Sequence, residues 1–380
     1  MGLIEMVAPI FARLSNDTYN ESIIDSTDSY IIDELSPNPL DEVELDIASV
    51  TSANVSYSMG AAAFSATLNT PWNSVKNIEV VHTSSADVTV SNFVHANIFL
   101  GNSGDSVVNV LDAKRGNVFT GNGSDTINVD ALTNDSGWTN WFKIDSGNGD
   151  DTISLTGDKD ITTFTVYGGN GEDDISLDTG YASSKVDSGN GKDVINGGTG
   201  IDVIVAGTGN DTINGGANND DINGNLGSDV ISGGLGEDLL KGGKGNDLIN
   251  GNEGNDFING NREGDTIFGN DGQDTIFGGK GNDVLDGGEG RDTLTGGLGN
   301  DKFVFSNKSD STTAGFDFIE DFEIGNNKID LSAIFSVGDF GTVLEVSDNG
   351  STTFVKANDG SNFTIGLDGV QALDVSDFIF

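Results

Sequence analysis

From residue 188 to residue 304 a large apolar side chain returns every ninth position, with no insertion across thirteen units. It is Ile in nine units and Leu240, Leu285, Leu294 or Phe303 in the others. The first five positions of each unit are mostly Gly and Asn, which tolerate positive φ, so they predict a tight turn. The last three have an outward–apolar–outward form rich in Ile, Val, Thr and Phe, which predicts a very short strand with one inward side chain. Two units then make an eighteen-residue coil of turn, strand, turn and strand. Successive coils stack as parallel strands about 4.8 Å apart, and the Ile column becomes a narrow core.

The pattern is looser on either side. Residues 71–187 carry recurring β segments (Ile78–Val81, Val88–Val90, Ala96–Phe99, Val107–Val110) and turn fragments GNGSDTIN, GNGDDTIS and GNGEDDIS. Their acids, Asp125, Asp151 and Asp173, are 26 and 22 residues apart, which suits one irregular coil each. Residues 1–70 read as an acidic N-terminal region, either a cap or a flexible passenger. Its apolar start (Ile4, Met6, Val7, Ile10, Phe11, Leu14) reads as a short helix, followed by strands in VELDIASV, ANVSYSM and AFSATL. In residues 305–380 the repeat stops, aromatics rise, and Asp348-Asn349-Gly350 signals a hairpin. This segment reads as the cap that an open strand edge requires. The fold class predicted is all-β: a right-handed parallel β-helix that starts near residue 75, grades into a parallel β-roll over 188–304, and ends in a β-rich C-terminal cap.

Charge adds the chemistry. The sixth position is Asp in all thirteen units: Asp193, Asp202, Asp211, Asp220, Asp229, Asp238, Asp247, Asp256, Asp265, Asp274, Asp283, Asp292 and Asp301. Stacked every ~5 Å, these carboxylates repel, and the repeat supplies no regular Lys or Arg to answer them. Carboxylates with backbone carbonyls from a Gly-rich turn form an all-oxygen set suited to Ca²⁺. Plain solvated turns would not explain an invariant acid at every one.

The net charge of −44, from 61 acids and 17 bases, leaves no basic footprint for nucleic acid. With no cysteine there is no disulfide and no thiolate metal site. The first fifteen residues lack a basic start and carry Glu5 and Pro9, unlike a cleavable signal peptide. No run of 18 apolar residues predicts a membrane span. The 55 glycines and many acids would ordinarily suggest disorder, so the periodic core implies order conditional on metal.

The nonapeptide G-G-x-G-x-D-x-U-x resembles the repeat of the RTX, or hemolysin-type, calcium-binding proteins of Gram-negative bacteria and cyanobacteria. The segment 301–334 resembles the region that closes the β-roll in serralysin-type proteases. Asp377-Phe378-Ile379-Phe380 resembles the tail read by a type I secretion exporter. The resemblance covers 188 to the end and implies export, an extracellular or cell-surface location, and one Ca²⁺ between each turn and the turn eighteen residues later. Carried onto this chain, one site takes the carbonyls of Gly198 and Gly200 with Asp202, then those of Gly215 and Ala217 with Asp220. The equivalent glycines Gly207, Gly209, Gly234, Gly236, Gly243, Gly245, Gly279 and Gly281 serve the neighbouring turns. Pairing each unit with its next-but-one neighbour gives eleven sites, with more at Asp125, Asp151 and Asp173. Asn218 and Glu263 replace the second turn glycine. Glu tolerates the left-handed region poorly, so weaker binding is expected around Glu263.

The enzymatic cargo of that family is missing. His82 and His95 form no H-E-x-x-H, and Ser56-Tyr57-Ser58-Met59-Gly60 lacks the leading Gly of a nucleophile elbow. The expected protein is a secreted calcium-binding structural one, a surface-layer, matrix or adhesion component, with no catalytic residue assigned. A polysaccharide epimerase or lyase with its groove on 71–187 is the second reading, weakened by the few bases there. A membrane-active toxin is the third, without a long apolar segment to support it. Trp138-Thr139-Asn140-Trp141-Phe142 either stacks on sugar, as a cell-surface glycan would require, or packs an irregular coil. The outward residues Leu239, Phe257 and Phe277 on one face, and Leu248 and Phe268 on the other, are the expected surfaces for self-association or a partner.

Overall fold

The computed structural model describes residues 87–101, 104–131, 140–157, 162–178, 183–369 and 372–380, with six earlier strands described by their backbone. Strands dominate, and no α-helix occurs among the described residues. The chain divides into two compact units, residues 1–194 and 195–380, each built as a parallel β-solenoid.

In the first unit two sheets face a common core. One stacks Asp87–Ser91, Val107–Ala113, Thr126–Ala131, Thr152–Gly157 and Asp174–Asp178 in parallel register. The other stacks His95–Phe99, Arg115–Asn122, Asn140–Asn148, Thr162–Asn170 and Ser184–Asn190. Period-two alternation sends Val88, Val108, Ile127, Ile153 and Ile175 inward as one buried column. Phe142 and Phe164 stack inside the second sheet with ring centroids 5.9 Å apart. Beneath them Gly116 is required, because a Cβ there would lie 1.8 Å from the Ala96 carbonyl oxygen.

Parallel pairing reaches back into the segment read as a separate N-terminal region. Tyr30–Asp33 pairs with Asn54–Ser58, which pairs with Asn77–Val81. Glu42–Ile47 pairs with Ala63–Leu68, which pairs with Asp87–Ser91. The coils therefore begin well before residue 75, on the alternating stretches already visible there. The expected N-terminal helix is corrected in part: Ile10–Leu14 is a strand antiparallel to Glu42–Ile47. Its Ile10, Ala12 and Leu14 alternate with period two, and a ladder supplies the backbone hydrogen bonds a helix would have made locally. Residues 1–9 and 15–29 lie outside the described residues.

In the second unit strands of six or seven residues recur every nine residues from Val203–Thr208 to Thr293–Leu298. One sheet carries the inward column Ile204, Ile222, Leu240, Ile258, Ile276 and Leu294, and the other Ile213, Ile231, Ile249, Ile267, Leu285 and Phe303. Every one of these side chains is buried. The cap adds Asp317–Ile319 to the first sheet and Lys328–Asp330 to the second. Leu344–Asp348, Thr352–Ala357 and Thr364–Asp368 then form an antiparallel meander whose first turn is the expected Asp-Asn-Gly hairpin, with Gly350 at φ 90°. Phe305, Phe335 and Phe363 close the core by edge-to-face contacts. Outside, Phe257 stays exposed beside Phe277, ring centroids 5.4 Å apart, and Leu239 pairs with Phe257. On the other face Leu248 is exposed and Phe268 half-buried.

Candidate metal centre

From Gly207 onward each turn of the roll is set by two residues of positive φ, as at Gly207 (107°) and Gly209 (146°), whereas the turn before it has Gly198 (90°) alone. The coils approach closely there, and a Cβ on Gly227 would lie 1.3 Å from the Gly209 carbonyl oxygen. Asn218 and Glu263 do carry a Cβ at this position, and their φ retreats to 75° and 66°.

This turn aims the Asp side chain inward along the edge. The backbone N–H of Asp202 donates to Oδ1 of Asp220 (2.8 Å), Asp220 to Asp238 (2.8 Å), Asp238 to Asp256 (2.8 Å) and Asp256 to Asp274 (2.8 Å). Asp274 donates to Asp292 at 2.8 Å. The opposite edge repeats the ladder through Asp211, Asp229, Asp247, Asp265, Asp283 and Asp301 at 2.8–3.0 Å. In the first unit Ser106, Asp125, Asp151, Asp173 and Asp193 are linked likewise at 2.7–3.0 Å. All sixteen acids singled out in the sequence sit in these ladders, each at most 3% exposed.

One oxygen of each accepting carboxylate is thus spent on the coil before it. The other, Oδ2, is buried without a hydrogen bond in Asp173 and in every ladder Asp from Asp220 to Asp301. It shares its pocket with a carbonyl of the next coil. The space a Cβ on Gly215 would fill lies 2.4 Å from Asp220 Oδ2 and 2.7 Å from the Gly233 carbonyl oxygen. At Gly224 the pair is Asp229 Oδ2 and the Gly242 carbonyl, and at Gly269 it is Asp274 Oδ2 and the Gly287 carbonyl.

Burial raises these acids above the ordinary carboxylate range. Asp151, Asp229, Asp256 and Asp283 are pushed to about 6, Asp173, Asp220, Asp274 and Asp292 to about 7, and Asp265 to about 8. The main cause is desolvation, opposed by the ladder N–H and reinforced at several positions by neighbouring acids. An unpaired buried carboxylate oxygen calls for a cation or a proton. Among the described residues no cluster of three or more His, Cys, Asp or Glu side chains occurs, so carbonyls must complete any coordination sphere. Oxygen donors alone, from two coils, fit a hard divalent cation such as Ca²⁺.

The carried-over carbonyls divide into two groups. Gly215 does meet an acid: its carbonyl oxygen and Asp202 Oδ2 converge on Gly197. The carbonyls of Gly198, Gly209, Gly236, Gly279 and Gly281 point along the stack, toward the glycine eighteen residues on. The Gly198 oxygen also accepts the Ala217 N–H at 2.9 Å.

Sequence reasoning missed the first-position carbonyls of Gly233, Gly242 and Gly287, although a first position that is always small was the available signal. It also missed Asp317 and Asn327. Asp317 Oδ1 accepts the Asp292 N–H at 2.9 Å, and Asn327 Oδ1 accepts the Asp301 N–H at 2.9 Å, so the cap extends both ladders by one rung. Asp317-Phe318-Ile319 matches the Asp-x-Ile of the repeat, which could have revealed it.

His95 is half-buried at the start of the strand His95–Phe99, with its pKa lowered by burial and by Arg115. His82 and Trp138 lie outside the described residues. Trp141 is exposed while Phe142 is core.

The fold and the site together define a class: a parallel β-solenoid edged with ladders of buried carboxylates that face backbone carbonyls. Comparison with known proteins agrees. Residues 185–204, 196–231, 232–267 and 268–303 match the RTX calcium-binding nonapeptide repeat in four copies. Residues 185–303 are therefore RTX repeats, and repeats of this kind bind calcium. No curated protein matches the chain. Among solved structures, the AlgE6R3 subunit of the Azotobacter vinelandii mannuronan C5-epimerase is similar at 33% identity. The match covers 36% of this chain and 80% of that one, with a TM-score of 0.28. The AlgE6R2 subunit of the same enzyme is similar at 32% identity over 32% of this chain and 88% of its own, with a TM-score of 0.26.

Proposed function

We propose that this is a secreted calcium-binding structural protein that folds outside the cell, as a surface-layer, matrix or adhesion component. The observation that carries the reading is the carboxylate ladder. Its Oδ1 atoms tie coil to coil, while its Oδ2 atoms are buried facing carbonyls, with no ion pair among the described residues to any ladder Asp from Asp220 to Asp301. Bound Ca²⁺ would supply the positive charge. Within the second unit Asp202 to Asp301 hold about ten facing turn pairs for it, and Asp125, Asp151, Asp173 and Asp193 of the first unit hold further ones. Where calcium is scarce, the ladders disfavour the rolled state by repulsion and desolvation. Where calcium is millimolar, each site at 100 times its Kd adds about 2.7 kcal/mol to folding. Multiplied along an edge, that makes order conditional on location.

The C-terminal segment fits a serralysin-like cap with a type I secretion tail. Phe378–Ile379 pairs with Lys328–Asp330, Leu331 donates to the Ile379 carbonyl at 2.8 Å, and Asp377 is buried. A tail tied down in this way is accessible to an exporter only before the cap folds, in keeping with export of the unfolded chain.

The second reading, a polysaccharide epimerase or lyase on coils 71–187, has one supporting feature. Trp141 is exposed, and Lys143 Nζ sits 5.2 Å from the Phe119 ring centroid and 5.0 Å from that of Tyr167, as a sugar-binding platform would require.

Circular dichroism of the full chain, with and without millimolar Ca²⁺, tests the main reading, followed by electron microscopy of the calcium form. A disorder-to-β transition and ordered assemblies are expected. A chain equally folded after exhaustive chelation would sink it. Turnover of a polyuronate would favour the second reading.

A further inference from the structure

The third position of the nonapeptide is left free by the core and by the carboxylate ladder. In the roll it is used unevenly. Along one edge, in register, stand Leu226, Lys244, Arg262, Lys280 and Leu298. Along the other stand Ala217, Leu235, Glu253, Asp271 and Glu289. Three stacked cations thus occupy one edge and three stacked anions the opposite edge. Lys244 and Glu253 belong to one coil, Arg262 and Asp271 to the next, and Lys280 and Glu289 to the third, always nine residues apart.

All six side chains are exposed, and none makes an ion pair or a side-chain hydrogen bond among the described residues. Like charges stacked on adjacent strands disfavour the isolated sheet. Only 17 bases exist in the chain, so three in one row are not filler. The neighbouring fifth positions on the basic edge (Ser228, Asn246, Gly264, Asn282) are neutral, and Glu263 is the one exposed acid of these turns, whose ladder acids Asp229, Asp247, Asp265 and Asp283 are buried. The basic row is flanked by exposed leucines, Leu226 at 48% and Leu298 at 68%, and the acidic row is preceded by Leu235 at 49%.

We propose that the occupant of the basic edge is the acidic edge of a second copy of this chain. Because each coil carries one base and one acid on opposite edges, a sideways translation of one copy brings Lys244, Arg262 and Lys280 against Glu253, Asp271 and Glu289 of the next. The contact is heterologous and does not close, so it propagates as an open row of rolls. The rung spacing is that of parallel strands on both edges, so all three pairs form together. The inference rests on the calcium-folded roll described above but not on where the protein acts.

The test is sedimentation velocity of the full chain in millimolar Ca²⁺ at low ionic strength, with circular dichroism reporting folding separately. The wild type associates, and raising NaCl to about 1 M, where screening acts within about 3 Å, dissolves the rows. The triple variant Lys244→Glu/Arg262→Glu/Lys280→Glu stays monomeric, as does Glu253→Lys/Asp271→Lys/Glu289→Lys. Mixed in equal amounts, the two restore association, because each offers edges the other lacks. A monomeric wild type, association that persists at 1 M NaCl, or calcium-folded variants that fail to associate when mixed would overturn the proposal. A wild type that stays monomeric yet binds soluble polyuronate would overturn it too, by assigning the basic row to a polyanion. Loss of the calcium-induced dichroism would instead count against the folding reading.

Discussion

The backbone N–H of Asp292 donates to Oδ1 of Asp317 at 2.9 Å, so the cap supplies the last carboxylate of one ladder. On the other edge the same place is held by Asn327, which accepts from Asp301 but brings no charge. One edge therefore ends in a carboxylate and the other in its neutral isostere. Asp317 is fully buried, its Oδ2 has no hydrogen bond, and desolvation with Asp292 and Asp310 nearby pushes its pKa to about 9. Asp317→Asn is expected to lower calcium stoichiometry by one ion, measured by equilibrium dialysis, and to leave the calcium-free chain no less stable. Asn327→Asp should do the reverse on the opposite edge. Unchanged stoichiometry in both would show that the ladders bind no ion at the cap.

Glu263 occupies a turn position where glycine stands in most units, and its φ of 66° lies in the left-handed region. That conformation costs a non-glycine residue about 1–2 kcal/mol. Its carboxylate also raises the pKa of Asp247 and Asp265. Glu263→Gly should stabilise the roll by about 0.5–1 kcal/mol after the unfolded-state entropy of glycine is set against the relieved strain. Gly245→Glu, one coil away, should destabilise it by more, because a Cβ there would sit 1.7 Å from the Gly227 carbonyl oxygen. Thermal melts at fixed Ca²⁺ compare the pair.

The two oxygens of Asp247 have separate tasks, and two substitutions separate them. Oδ1 accepts the Asp229 N–H at 2.9 Å, while Oδ2 is buried and unbonded. Asp247→Asn keeps an acceptor and removes the charge, so it should weaken calcium binding yet help the metal-free chain. Asp247→Ala also orphans a buried N–H, at about 1–3 kcal/mol, and should destabilise both forms. Calcium titrations followed by dichroism read the binding loss, and denaturant melts in chelator read the rest.

The roll was legible because its period is strict. An apolar residue every ninth position fixes which side chains face inward, and an Asp two residues earlier fixes the edges. Ile249 and Asp247 needed no structure to be placed. Asp317 and Asn327 were hidden because they lie 25 and 26 residues beyond their partners, across loops that break the period. The pairing of Lys244 with Arg262 depended on knowing that alternate units share a sheet, yet the charge rows stood out only once the register was explicit. The strand Ile10–Leu14 was missed because its partner, Glu42–Ile47, lies some thirty residues away, and short apolar stretches do not declare their period.

The pH dependence follows from the sign of the ladder pKa shifts. In the metal-free fold burial raises Asp229 and Asp256 to about 6, Asp220 and Asp274 to about 7 and Asp265 to about 8. An unfolded Asp titrates near 3.9. The folded chain therefore binds more protons than the unfolded one between about pH 4 and 8. The contribution of these groups is fully present below pH 4 and is lost as pH rises through 6 to 8. Calcium reverses the requirement, since an ionised carboxylate is the ligand and each proton must leave first. The calcium-free chain should accordingly gain β structure on acidification to about pH 5, without metal. The unfolded chain is already ionised over this interval, so it is calcium binding to the acid-folded chain that displaces protons, and the affinity of that folded form for calcium should rise as pH rises from 5 to 8. Dichroism against pH in chelator measures the first effect, and proton release on adding calcium to the acid-folded chain measures the second. No gain of β structure on acidification, or calcium binding at pH 5 without proton release, would show that the buried carboxylates are not the groups through which calcium and protons compete.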